Sequence, residues 1–147
     1  MQDTHLAALS PDLQMLYAAA VVARQNSYSP YSTFAVGAAV RTAEGRIYGG
    51  CNVENASYGL CCCGERNAIF AAVCAGERNL ETLCVVADTE KPVSPCGACR
   101  QVMAEYQMLA KAPMSVIMVG AKATWKFAKV DDVLPYIFDS FKADMED

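Results

Sequence analysis

Cys63-Gly64-Glu65-Arg66 and Pro95-Cys96-Gly97-Ala98-Cys99-Arg100, whose first cysteines are 33 residues apart, are the two stretches around which this chain is organised. Each stands where an apolar helical pattern begins, and together they offer three thiolates and a carboxylate. Cys96 and Cys99 fall one helical turn apart at a helix start, where backbone N–H groups and the helix dipole favour thiolates. Alone, such a pair has a lesser reading too, as a redox couple or as two core cysteines. The second cluster favours a metal. Three thiolates leave a tetrahedral zinc site one ligand short, and a catalytic site keeps that position for a water.

In the first cluster Cys61, Cys62 and Cys63 compete as the ligand. Cys63 precedes Glu65 by two residues, so it can bind metal while the carboxylate projects beside the open position. Cys61 and Cys62 then read as packing or incidental thiols of a loop. Cys51, Cys74 and Cys84 read as small core residues. Glu65 also suits the first turn of a helix without any chemistry, and Arg66 suits an exposed surface. A guanidinium beside three thiolates would, however, offset their excess negative charge. His5, the sole histidine, falls in an N-terminal stretch read as unstructured, and is assigned neither ligand nor base.

Working outward, Ser10-Pro11-Asp12 is a helix-start signature, and Leu13, Leu16, Tyr17, Ala20 and Val21 continue it to about residue 25. Asn26 to Ser32 is a polar loop, and Phe34–Arg41 and Arg46–Cys51 form a hairpin about Glu44-Gly45. Asn52 to Cys62 is a loop. A helix from Cys63 closes at Gly76, Leu83–Ala87 is a central strand, and Cys96–Gln107 is a helix. Met114–Val119 and Trp125–Val130 are strands. Asp131 or Asp132 caps a final helix carrying Leu134, Ile137 and Phe138. This order predicts a three-layer α/β/α fold with a mixed five-stranded sheet. The whole chain, 1–147, forms one domain, with 1–10 and 140–147 as tails.

The hydrophobic fraction of 54% against 19% charged excludes disorder and fits an oligomer that hides extra surface. A net charge of -4 with no basic run argues against nucleic acid. No apolar run reaches the roughly 18 residues of a membrane span, and the first residues lack a signal-peptide pattern. Eight cysteines in a core-rich chain without such a signal fit a reducing, cytoplasmic setting.

A cysteine, a glutamate two residues on, then Pro-Cys-x-x-Cys is the pattern of zinc-dependent nucleobase deaminases, with the glutamate as acid and base. The chain resembles, more narrowly, the small homotetrameric cytidine deaminases. The resemblance runs from Tyr28-Ser29-Pro30-Tyr31-Ser32-x-Phe34-x-Val36-Gly37-Ala38-Ala39 to Leu134-Pro135-x-x-Phe138. Between them lie Gly50-Cys51-Asn52-Val53-Glu54-Asn55-Ala56-Ser57-Tyr58-Gly59, Cys63-x-Glu65-Arg66 and Ser94-Pro95-Cys96-Gly97-Ala98-Cys99-Arg100-Gln101-Val102.

The resemblance implies one zinc per chain on Cys63, Cys96 and Cys99, with Glu65 as proton shuttle. It implies that Asn52 and Glu54 hold the ribose hydroxyls, Phe34 packs on the pyrimidine, and backbone near Ala56 reads the base oxygen. Tyr58 and Phe138 resemble residues that act across subunit boundaries of a homotetramer. The implied reaction is hydrolysis of cytidine and 2′-deoxycytidine to uridine and 2′-deoxyuridine with release of ammonia, in pyrimidine salvage. Gly64 departs from the family's alanine. Two rival readings remain: a deaminase of another aminopyrimidine or of a polynucleotide, and a structural zinc module with a fourth protein ligand.

Overall fold

The computed structural model describes residues 4–139. Helix α1 spans Pro11–Arg24, β2 Val36–Thr42, β3 Ile47–Cys51, α2 Gly64–Cys74 and β4 Leu80–Ala87. Helix α3 spans Gly97–Ala110, followed by β5 Ser115–Val119, β6 Thr124–Lys129 and the single turn α4 Val130–Val133. A two-residue strand β1, Thr4–His5, precedes them. The sheet order is β1-β6-β5-β4-β2-β3, with β4 and β5 parallel and every other pair antiparallel.

The five longer strands are those expected. The N-terminal stretch, expected as an unstructured tail, instead adds β1 to the sheet edge, with Thr4 opposite Trp125 and His5 opposite Thr124. The expected tail at 140–147 lies outside the described residues.

Alternation along the strands divides the core. Val36, Ala38, Val40, Leu83, Val85, Val116 and Met118 face α2 and α3, joining Ile69, Ala72 and Met103. Ala39, Cys84, Val86, Ile117 and Val119 face the opposite side, where Leu16 and Ala20 of α1 cover them. Close helix approach requires glycine on each side. A Cβ at Gly37 would meet the Ala20 carbonyl of α1 at 2.1 Å, and one at Gly50 would meet the Ala68 nitrogen of α2 at 2.2 Å. Helix α2 is therefore pressed onto the hairpin, which puts its first turn beside the end of β3. Asn67 completes the seat by donating from Nδ2 to the Cys51 carbonyl at 2.8 Å.

Three expectations need correction. Cys74 is exposed, on the outer side of α2, rather than a core residue. The last helix stops at Val133, because Pro135 disfavours helical backbone at the residue before it. Asp132 does not precede this turn as its cap; its carboxylate accepts the Lys129 backbone N–H at 2.8 Å from within the first turn.

Candidate active site

The two cysteine stretches meet because α2 and α3 both begin at the same end of the sheet. Cys63 and Cys96 occupy the N-cap positions of α2 and α3, and Cys99 lies one turn into α3. Their three Sγ atoms all lie within 4.8 Å of one another, with Cys63 and Cys96 3.7 Å apart. Thiolates at about 2.3 Å around a tetrahedral zinc would stand roughly 3.8 Å apart, so the trio fits that ion with small adjustment. No fourth histidine, cysteine or carboxylate joins the group among the described residues, which disfavours a closed structural site.

The charge around the sulfurs is also arranged for a cation. Hydrogen bonding from Cys99, then from Arg66 and Cys96, draws the Cys63 thiol down to about 5. Cys99 is pushed up by serving as the partner of Cys63 and by burial. Arg66 Nη2 stands 3.4 Å from Cys63 Sγ, and this contact holds the guanidinium even more firmly protonated. Its Nε is buried without a hydrogen-bond partner. Arg66 therefore serves the sulfur cluster rather than the exposed surface.

Glu65 is 5% exposed, and burial raises its carboxyl above the ordinary range. It lines a cavity of about 200 Å³ with Phe34, Asn52, Cys63, Gly64, Val93, Ser94 and Cys96. Arg100 fixes the rim beside Cys96, donating to the Pro95 carbonyl at 2.7 Å, the Val133 carbonyl at 2.7 Å and Ser94 Oγ at 2.8 Å. Gly64 has a local reason to be small. A Cβ there would lie 3.3 Å from Asn52 N and from the Cys51 backbone, tight against the end of β3 and the residue that follows it.

Asn52 is anchored by its neighbours. Its Nδ2 donates to the Phe34 carbonyl at 2.7 Å, while Oδ1 accepts from Val36 N at 2.9 Å and from Ser27 Oγ. Glu54 lies in a second depression, of about 320 Å³, with Tyr31, Ser32, Tyr58 and Cys61. Its Oε1 accepts from Tyr31 N at 3.0 Å and Ser32 N at 3.1 Å, and Oε2 from Ser32 Oγ. These contacts, led by the Ser32 hydroxyl, hold the Glu54 carboxyl below its ordinary range.

Ala56, Tyr58 and Phe138 are not among the residues lining the zinc-site cavity. Ala56 is exposed on the loop after β3, and Tyr58 is 73% exposed with its ring edge-on to Tyr31. Phe138 is 58% exposed, its backbone exchanging hydrogen bonds with the Gln101 side chain. Sequence reasoning assigned no role to Ser27, Ser32, Val93 or Ser94. Serines beside Pro30 and Pro95 marked turns, but nothing local told which side chains those turns would hold.

The family model described as the cytidine and deoxycytidylate deaminase zinc-binding region matches residues 10–115. The chain is 46% identical over 127 residues to a cytidine deaminase of Sporosarcina psychrophila, covering 86% of this chain and 91% of that protein. It is 46% identical over 136 residues to a cytidine deaminase of Halalkalibacterium halodurans, covering 92% and 99%. The crystal structure of cytidine deaminase from Burkholderia pseudomallei superposes with a TM-score of 0.80 at 44% identity, covering 88% of this chain and all of that one. The match covers most of the chain in both sequence and fold, and the chain belongs to the zinc-dependent cytidine deaminase family.

Proposed function

We propose that the chain hydrolyses cytidine and 2′-deoxycytidine to uridine and 2′-deoxyuridine, releasing ammonia, with Glu65 as the catalytic acid and base. The observation that carries this reading is the near-complete burial of Glu65 in one cavity with two cysteine sulfurs, an aromatic ring and an amide. Cys63, Cys96 and Cys99 would hold the zinc, which supplies the Lewis acidity that makes water a nucleophile near neutral pH. Arg66 offsets the charge of three thiolates. Burial equips Glu65 to exchange protons, because a carboxyl with a raised pKa both takes and returns them readily.

Glu65 takes a proton from the attacking water and delivers it to ring N3, which leaves C4 electrophilic. Attack at C4 forms the C–O bond. Glu65 then carries the second water proton to the amino group, the C–N bond breaks, and ammonia leaves. Phe34 offers a face for the pyrimidine, and the cavity of about 200 Å³ suits a single base. It is smaller than the roughly 300 Å³ lower bound of pockets enclosing drug-sized ligands, so the sugar lies across the rim.

The hydrogen bonds already made limit what the rim can read. Asn52 has one N–H left after Phe34, and its oxygen already takes two donors. Glu54 has one lone-pair site left, on Oε2. One donor on Asn52 and one acceptor on Glu54 are thus left for the sugar hydroxyls.

Backbone near Ala56 would read the base oxygen. Tyr58 and Phe138 would complete sites at the boundaries of a homotetramer, in keeping with their exposure of 73% and 58% and that of Tyr136 at 95%. A cytoplasmic place in pyrimidine salvage follows from the same reading. No helix among the described residues is long and apolar enough to cross a membrane.

An ultraviolet assay across cytidine, 2′-deoxycytidine, cytosine and cytidine monophosphate tests the proposal. Both nucleosides should turn over with kcat/KM within about tenfold of each other, one unit of 1.4 kcal/mol. Free cytosine should turn over far more slowly. Efficient turnover of cytosine, or none of either nucleoside by protein with full zinc, would contradict the assignment.

A further inference from the structure

We infer that Ser32 is a positioning residue that aims the Glu54 carboxylate at a sugar hydroxyl without touching substrate itself. The inference rests on the reading of Glu54 as a ribose contact. Ser32 holds both carboxylate oxygens: its backbone N–H donates to Oε1 at 3.1 Å and its hydroxyl donates to Oε2. Tyr31 N adds a third donor, to Oε1 at 3.0 Å. The carboxylate is thereby fixed in its plane, and its open lone-pair site is on the oxygen that carries the serine hydroxyl.

A serine hydroxyl is ordinarily a free rotor with one proton and two lone pairs. Here Phe34 N donates into Ser32 Oγ at 3.0 Å, which occupies a lone pair and leaves the proton directed at Glu54. The same short segment thus connects the base-stacking Phe34 to the sugar-reading carboxylate. The turn that makes this possible is costly. Thr33 adopts φ 53, a left-handed conformation that a β-branched residue rarely takes. It is held there by Thr33 N donating to the Ser29 carbonyl at 3.0 Å and Thr33 Oγ1 donating to the Ser32 carbonyl at 2.6 Å.

Stability alone does not call for this arrangement. Tyr31, Ser32 and Thr33 are exposed and Glu54 is only half-buried, so water could satisfy the carboxylate. Three protein donors on one accessible carboxylate instead reduce the freedom it would lose on binding. The lowered Glu54 pKa, with the Ser32 hydroxyl as its leading cause, accords with a carboxylate kept ionised and acceptor-only.

The test compares Ser32→Ala, Ser32→Thr and Glu54→Ala as zinc-loaded full chains. Competitive inhibition constants are measured for uridine and for 2′,3′-dideoxyuridine, which lacks the 2′ and 3′ hydroxyls. Ser32→Ala should weaken uridine about fivefold, as expected for one partly solvated hydrogen bond to a charged group, while the constant for dideoxyuridine stays within about twofold. The loss should appear in KM for cytidine rather than in kcat, and Ser32→Thr should restore most of it. Equal weakening of both ligands would mean that Ser32 only supports the loop, and would overturn the inference. If Glu54→Ala loses the preference for uridine but Ser32→Ala keeps it, the role of Ser32 alone is refuted. If Glu54→Ala keeps that preference, Glu54 does not read the sugar and the inference falls with it.

Discussion

Glu77 shows how much a single residue outside the site can carry. It is 7% exposed just beyond α2, and its carboxylate accepts from Arg46 Nε and Nη2 and from the Tyr48 hydroxyl at 3.0 Å. These bonds, led by Arg46, hold its pKa below the ordinary 4.5. A carboxyl depressed in the folded state stabilises the fold above its unfolded pKa, and loses that contribution as pH falls through the folded value. Glu77→Gln should therefore lower Tm at pH 7 and flatten the loss of stability below about pH 4.5, as followed by thermal melts across pH. Unchanged melts at both pH values would contradict this role. Nothing in the sequence marked Glu77, whose partners are 29 and 31 residues away. The metal cysteines were legible because helix-start spacing and the Cys63-x-Glu65 interval are local. Of the loop thiols, Cys61 accepts the Asn55 N–H at 3.3 Å, and Cys62 exchanges backbone hydrogen bonds with Val53. Both thus act within the loop, as its polar character suggested. The clamp on Glu54 joins residues 22 apart, and no short-range pattern announces it.

At the scale of elements, helical spacing and continuous apolar runs identified every long helix and strand in its correct order, since the helices bury one face and β4 and β5 are buried on both. Boundaries moved where packing overrode that signal. Strand β4 begins at Leu80 rather than Leu83, because Thr82 is buried opposite Ser115 of β5 despite its polarity. Helix α3 runs to Ala110 and ends at Lys111 in a left-handed conformation, a stop usually signalled by glycine or asparagine. The two-residue β1 carries no periodicity to read and depends entirely on the partner edge of β6. Gly37 and Gly50 had no role of their own in the sequence. Only the structure gives their purpose, the close approach of α1 and α2 on opposite faces.

At the scale of the molecule, the apolar composition and the exposure of Tyr58, Leu60, Tyr136 and Phe138 accord with the proposed homotetramer. Sedimentation equilibrium should therefore give the mass of four chains of 15.8 kDa, and a monomer retaining full activity would contradict the tetramer. The central claim is narrower: a glutamate beside a zinc-binding cysteine trio performs the proton transfers of cytidine deamination. Its most direct test measures zinc content and cytidine turnover on the same preparations of the unaltered protein and Glu65→Ala. The account predicts one zinc per chain in both, with kcat reduced by at least about 10²–10⁴-fold in the variant, the usual worth of a general acid–base group. A zinc-loaded Glu65→Ala that deaminates cytidine at the unaltered rate would contradict it.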